Sequence, residues 1–341
     1  MKQNNFDFLR FYFAFIVVIG HLIELSKVAD FQKFSPYFDT AISVNGFFCI
    51  SGFLITRSYI NSVSLKTYFA KRAARLLPAY LFVVVFCFVI LSIISTFSFS
   101  EYFTNQLTYK YLASNLVFLN FIEPCLPGVF LTNGVEYPVN GSLWTLKVEV
   151  SFYLILPLVI LLIKKIKHKY FVLIGIYLLS VIYQQLFTWL AGVYNNYTLR
   201  MLSHQLPAFL SYFVCGITLH YYFDFFIRNK FKIFIFGLIS IIIEHKLGLQ
   251  IVTPIALSVI IFTFAYSFKV LNSFAKYGDI SYGIYIYHFP IINLAIYFGL
   301  FVKFNPYVIT LIIISIVLFI STLSWHFIEK PFLNKVHSNR N

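Results

Sequence analysis

Residues 8–25 read FLRFYFAFIVVIGHLIEL. The run approaches the ~20 predominantly apolar residues that a helix needs to cross a hydrocarbon core. It resembles a signal anchor, but it lacks a small-residue cleavage site and further apolar runs follow, so it reads as a helix of the mature chain. Outward from it lie nine more candidate spans: 42–60, 76–96, 142–163, 169–191, 204–222, 231–247, 249–268, 280–300 and 307–327. The seventh is short and holds Glu244, His245 and Lys246, so it is the least regular. Segment 108–122 is amphipathic and too short to span; it reads as lying at the outer surface or re-entering. The fold class that follows is all-α: a polytopic membrane protein of about ten transmembrane helices. Residues 1–332 form one integral membrane domain and 333–341 a short cytoplasmic tail.

Composition excludes a water-soluble core. The 341 residues are 60% hydrophobic, 21% aromatic and 11% charged, with mean hydropathy +0.82. A soluble domain carries about a quarter charged residues. The net charge of +14 points first to nucleic acid, but its distribution argues against that partner. The basic residues sit in short clusters between apolar runs, where they face anionic lipid and set orientation. With the N-terminus inside, the outer side receives Lys27, Lys33, Lys110, Arg200, Lys246 and Lys303, and Lys147 falls within a span. The other nineteen of the 26 lysines and arginines are cytoplasmic. That asymmetry predicts N-in and C-in, hence an even number of spans in a bacterial cytoplasmic (inner) membrane. Cys49, Cys87, Cys125 and Cys215 show neither pairing nor metal spacing and read as small buried hydrophobes. The longest outer connection, roughly 97–141, contains Glu123, Pro124, Pro127, Gly128, Asn133, Gly134, Glu136 and Pro138 and reads as an acceptor-facing loop.

Ionisable residues within spans are expensive, and each is a functional candidate. Arg10 and His21 are eleven residues apart. At 3.6 residues per turn they differ by ~20° in azimuth and ~16 Å in height, so both project from one face of the first helix. Glu149 lies ~10 Å below the outer end of its helix, at about the depth of His21. A carboxylate and an imidazole at one depth can act as a base and its orienting partner. A Glu149–Lys147 pair is the alternative, but positions i and i+2 on a helix do not face each other. Arg72 and Arg75 share a helix face at the cytoplasmic boundary, where two guanidiniums suit a pyrophosphate or 3′-phosphate; plain positive-inside anchoring is the alternative. Ser51-Gly52 reads either as a close helix contact or as part of a site. His288, in Ser281-Tyr-Gly-Ile-Tyr-Ile-Tyr-His-Phe-Pro290, is an interhelical hydrogen-bonding group or a site residue, and Pro290 breaks the backbone ladder beside it. His204 and Glu244 lie near outer ends and read as solvated.

Several of these motifs occur together in one order. The chain resembles the acyltransferase 3 family of bacterial membrane O-acyltransferases, which includes O-antigen and peptidoglycan acetylases. The resemblance runs from Phe6-Asp7-Phe8-Leu9-Arg10 and His21, through Asn45-Gly46-Phe47-Phe48-Cys49-Ile50-Ser51-Gly52-Phe53 and Arg72-Ala-Ala-Arg75-Leu-Leu-Pro78. It continues with Gly141-Ser142-Leu143-Trp144-Thr145-Leu146-Lys147-Val148-Glu149 and Ser281-Tyr282-Gly283 up to His288, and ends at Glu329-Lys330-Pro331-Phe332. It implies that His21 is the catalytic histidine, with Arg10 its partner and Glu149 the glutamate after the tryptophan. It also implies that Arg72 and Arg75 bind acyl-CoA. Arg57 is expected to join them on the donor phosphates, and Ser51, Trp144 and His288 are expected on the substrate side. Many members follow that glutamate with a second acidic residue and glutamine; here Val150 and Ser151 stand there, which leaves Glu149 alone.

The expected reaction moves an acetyl group from cytoplasmic acetyl-CoA, a co-substrate and not a permanently bound cofactor, to a hydroxyl of a polysaccharide or lipid-linked glycan outside. His21 acts in it as base or as transient acyl carrier. Some relatives carry a fused hydrolase-like domain; this chain would act alone or with a separate periplasmic or extracellular transferase partner. A transporter or flippase of a glycan or lipid intermediate, and an acyltransferase of small molecules, are the competing readings.

Overall fold

The computed structural model describes residues 4–133, 137–247, 251–276 and 278–338. Gly134 and Glu136 of the long outer connection lie outside them, as does the His245 side chain. The described residues are helical, with no strand. The helices are α1 (Phe6–Ser26), α2 (Thr40–Ile60), α3 (Leu65–Ile90), α4 (Phe99–Thr104), α5 (Gln106–Leu116), α6 (Trp144–Lys165), α7 (Lys169–Tyr194) and α8 (Tyr197–Leu202). They continue with α9 (Leu206–Tyr221), α10 (Phe223–Leu247), α11 (Thr253–Ala265), α12 (Ser281–Tyr297), α13 (Leu300–Lys303), α14 (Pro306–Ser324) and α15 (Lys330–Ser338).

Each predicted apolar segment falls on a helix. Six stretches are long and apolar enough to cross a bilayer: Phe6–Ser26, Ala29–Ile60, Leu65–Ile94, Gly141–Lys165, Lys169–Tyr194 and Pro306–Lys335. The other four are limited by length or charge. Helices α9, α11 and α12 have 16, 13 and 17 residues. Helix α10 has 25 but carries Asp224, Arg228, Lys230, Lys232, Glu244 and Lys246. Residues 333–338 of the expected tail belong to α15, joined to α14 by a π-helical turn over Trp325–Glu329.

The chain forms two compact units. One comprises Met1–Leu9, Val44–Tyr68 and Val148–Phe274; the other comprises Arg10–Ser43, Phe69–Lys147 and Ala275–Asn341. In the first, α2 and α9 cross at two glycines. A methyl group on Gly52 would overlap the Phe213 carbonyl, and one on Gly216 would meet the Cys49 carbonyl and the Phe53 amide. Without a hydrophobic drive between helices in lipid, such close backbone approach supplies the association energy. Phe152 stacks on Phe213 at 4.2 Å beside the crossing. The Asn5 side chain donates to the Phe268 carbonyl at 2.6 Å and clasps the start of α1 to the end of α11. Glu244 is not solvated as expected: it is buried, and its carboxylate accepts from the Val252 amide and the Thr253 hydroxyl, both at 2.5 Å. The first turn of α11 needs acceptors for its free amides, and Glu244 supplies one. All four cysteines are free, and all but Cys125 are fully buried.

In the second unit α12 is the buried axis: Ser281, all of Gly283–Pro290, Ile292, Asn293 and Ala295 are buried. A helix apolar on every side belongs inside a protein. Gly283 lets α14 approach, since a methyl there would sit 2.9 Å from Ser321 Cα. Pro290 has no amide hydrogen, so the carbonyl four residues earlier, that of Ile286, loses its helical donor. Asn140 Nδ2 replaces it at 2.8 Å. The long connection is accordingly a strap and not a free loop. Ser142 Oγ donates to the Tyr285 carbonyl, Asn133 Nδ2 to the Asn293 carbonyl, and Asn293 Nδ2 to the Pro138 carbonyl. Tyr80 of α3 holds its first half, donating to the Asn115 carbonyl and accepting from Asn120.

Gly216→Leu should block the α2–α9 crossing and lower stability by about 1–3 kcal/mol or more, the usual cost of overpacking. Gly175→Ala, where nothing lies within 4 Å of the added methyl, should leave stability unchanged. Thermal unfolding of the purified protein in detergent reads both.

Candidate active site

Helix α1 presents Arg10 and His21 from one face, as its period requires. Both find partners on or beside α12. His21 Nδ1 lies 2.8 Å from His288 Nε2. The ring planes differ by 10° and their centroids are 5.1 Å apart. That separation exceeds the N···N distance by about two ring radii, so the imidazoles are coplanar and edge to edge, not face to face. His288 is fully buried and its Nδ1 is 3.1 Å from the Ile284 carbonyl. Phe289 sets its ring against His21, with centroids 5.2 Å apart at 80°. Gly141 lies behind Phe289, and a methyl there would come within 2.6 Å of that ring. The Asn-Gly-Ser-Leu-Trp motif thus reaches His21 through Phe289.

Eleven residues down α1, Arg10 Nη2 is 3.1 Å from Asp279 Oδ2. The same oxygen accepts from Arg75 Nη2 at 2.5 Å, and Arg75 Nη1 is 3.7 Å from Glu329 Oε2. Ser324 Oγ donates to Glu329 Oε1 and in turn bonds Tyr287. The Arg75 guanidinium is flanked by the Tyr282 and Trp325 rings, each 5.9 Å away. The π-helical turn carries both Trp325 and Glu329 to this point; such turns often mark functional positions. Gly278 holds φ +145° under Trp325, where a side chain would strike the indole. Burial alone would raise the Asp279 carboxyl. The Arg10 and Arg75 guanidiniums and the Ser281 amide and hydroxyl outweigh it and hold the acid well below the ordinary carboxylate range.

Arg72 lies one turn before Arg75 on α3, in the same unit, and Trp144 opens α6 there. Lys147 places its ammonium 4.6 Å from the centre of the Phe121 ring. Glu149, Ser51 and Arg57 belong to the other unit. There Glu149 Oε1 accepts from the Tyr153 hydroxyl at 2.6 Å, Ser51 stands beside the Gly52 crossing, and Arg57 lies in the last turn of α2. His204 is exposed, as expected, and contacts the Arg200 carbonyl. Sequence reasoning gave the His21 ring to Glu149 as its orienting group; the hydrogen bond at Nδ1 is made by His288, which had been placed on the substrate side. It also missed Asp279. The available signal was Asp279-Ile-Ser281 at the start of an apolar run, a helix-start pattern that puts an acid at the boundary where arginines cluster.

The chain is similar to known proteins. The acyltransferase 3 family model, described as an acyltransferase domain, matches residues 3–326. An O-acetyl transferase of Shigella phage Sf6 is 29% identical over 98% of this chain and 97% of its own length. Nodulation protein 10 of Rhizobium leguminosarum bv. viciae is 34% identical over 46% of this chain and 44% of its own. An uncharacterized protein of Haemophilus influenzae is 38% identical over 35% of this chain and 49% of its own. No solved structure gives a significant match.

Arg75→Ala should destabilise the protein by about 3–5 kcal/mol, because it leaves the buried Glu329 carboxylate without its cation and Asp279 with Arg10 alone. A second prediction uses pH. The Asp279 acid is depressed in the folded state, so its contribution is present above the ordinary value of 3.8 and is lost as pH falls toward the folded value. The melting difference between wild type and Asp279→Asn should therefore narrow as pH drops below about 4. A difference that does not change with pH would contradict the assignment.

Proposed function

The chain belongs to the acyltransferase 3 family, and on that premise we propose that it transfers an acetyl group from cytoplasmic acetyl-CoA to a hydroxyl of a cell-surface or lipid-linked polysaccharide. It is an O-acyltransferase by family. The observation that carries the finer reading is the His21 imidazole, held in one plane by a buried partner at the far end of the Arg10 stripe. The phage relative, named an O-acetyl transferase, supports acetyl as the group transferred.

In this reaction the His21 imidazole removes the acceptor hydroxyl proton and the oxygen attacks the thioester carbonyl. The C–S bond then breaks, and the departing thiolate takes the proton back from His21. Arg72 and Arg75 bind the CoA phosphates, with Arg75 oriented by Asp279 and Glu329. Glu149 is kept as a second ionisable group of the reaction. The acceptor's place is a cleft of about 330 Å³ whose lining includes Gly20, Glu24, Gln32, Ser35, Asp39 and Thr40. Glu24 is one turn beyond His21 on α1, and carboxylate, amide and hydroxyl groups suit a sugar. The membrane is a bacterial inner membrane crossed about ten times, N-in and C-in. Helices α1 and α12 run parallel, since Arg10 meets Asp279 and His21 meets His288 in the same order; a first and a ninth span require that.

His21→Ala, inserted normally, should abolish O-acetylation of surface glycan, read by mass analysis of glycan from an expressing host; normal acetylation would remove the catalytic assignment. Glu149→Gln is the companion test for the carboxylate. Arg72→Ala should raise the apparent KM for acetyl-CoA with a smaller effect on kcat.

A further inference from the structure

Two imidazoles joined by one in-plane hydrogen bond must divide donor and acceptor between them, and the surroundings of His288 decide the division. Its Nδ1 is 3.1 Å from the Ile284 carbonyl oxygen, which can only accept, so Nδ1 carries the hydrogen. In the neutral ring Nε2 then holds an in-plane lone pair, and that lone pair points at His21 Nδ1, 2.8 Å away. His21 Nδ1 is therefore the donor. A charged His288 would present N–H groups at both nitrogens while 0% exposed, with a carbonyl and a second imidazole as its neighbours, an arrangement that burial disfavours. We infer that His288 is a positioning residue that locks His21 in its Nδ1–H tautomer and so assigns the reaction to His21 Nε2.

The inference rests on the reading of His21 as the base and adds what orients it. When the acceptor hydroxyl proton moves to Nε2, His21 becomes an imidazolium whose Nδ1–H still donates to His288, now as a charge-assisted bond. His288 thus fills the orienting position that a carboxylate fills in a Ser-His-Asp triad, but it brings no negative charge. The Ile284 carbonyl holds its Nδ1, while Phe289 packs on the His21 ring and Asn140 supports the Ile286 carbonyl that Pro290 leaves without a donor. Should the acyl group pass through His21, the same tautomer places the N-acyl bond at Nε2.

The test uses the full-length protein in nanodiscs, labelled acetyl-CoA, and glycan-bearing membranes of the expressing host as acceptor. His288→Leu removes the acceptor for Nδ1–H and should lower kcat by on the order of 10²-fold with KM for acetyl-CoA unchanged. In His288→Gln the amide N–H can serve Ile284 and the amide oxygen His21, so it should recover most of that loss. Ring nitrogen-15 spectra of histidine-labelled wild type, with His21 assigned by its absence from His21→Ala, should show a protonated Nδ1 and a bare Nε2. This measurement does not depend on any variant folding. A wild-type spectrum with hydrogen on Nε2, an unchanged kcat in His288→Leu, or a His288→Gln no better than a stably folded His288→Leu would overturn the inference. Full activity in His21→Ala would instead overturn the reading beneath it.

Discussion

The hydrogen bond between His21 and His288 places a hard constraint on a chain otherwise made of interchangeable apolar residues. Two coplanar rings must meet within a few tenths of an ångström, which requires α1 and α12 to be fixed in height and rotation. The second tie, Arg10 to Asp279, sets the height. The strap before α6 sets the rotation, because it bonds the α12 carbonyls of Tyr285 and Ile286 before Pro290 and that of Asn293 after it. Arg75 and Glu329 then follow from Asp279: a buried carboxylate stays charged only with cations beside it, and each cation brings its own partners.

Much of this was legible in the sequence, for a simple reason. Helix periodicity is local, so the eleven-residue spacing placed Arg10 and His21 on one face without any structure. Small residues announce close crossings, and Ser51-Gly52 behaved so. Pairings between distant segments were not legible. His21 meets a residue 267 positions away and Arg75 one 204 positions away, and no period links them. Depth alone paired His21 with Glu149; the hydrogen bond at His21 Nδ1 is made by His288. The π-helical turn at Trp325–Glu329 was invisible for a related reason: its composition is that of the α-helices around it. Glu244 was read as solvated because its segment ends in charge, whereas the first turn of α11 needed its carboxylate.

The polar groups of the second unit fall into two levels along α1. Near Arg10 a network of two arginines and two acids balances its charge and takes in the π-turn. Near His21 the groups are the His288 ring, the Phe289 ring and the Ile284 carbonyl. In the proposed reaction the phosphates of the donor belong to the first level and its thioester to the second.

In the proposed reaction the acetyl group leaves acetyl-CoA on one side of the membrane and arrives on a hydroxyl at the other. The direct measurement seals labelled acetyl-CoA inside proteoliposomes bearing the protein N-in, with host surface polysaccharide outside. The account predicts label in alkali-labile ester on the external polysaccharide, with free CoA thiol accumulating inside in equal amount. Label released only as free acetate, or retained in acetyl-CoA while unmodified glycan crosses the membrane, would contradict it.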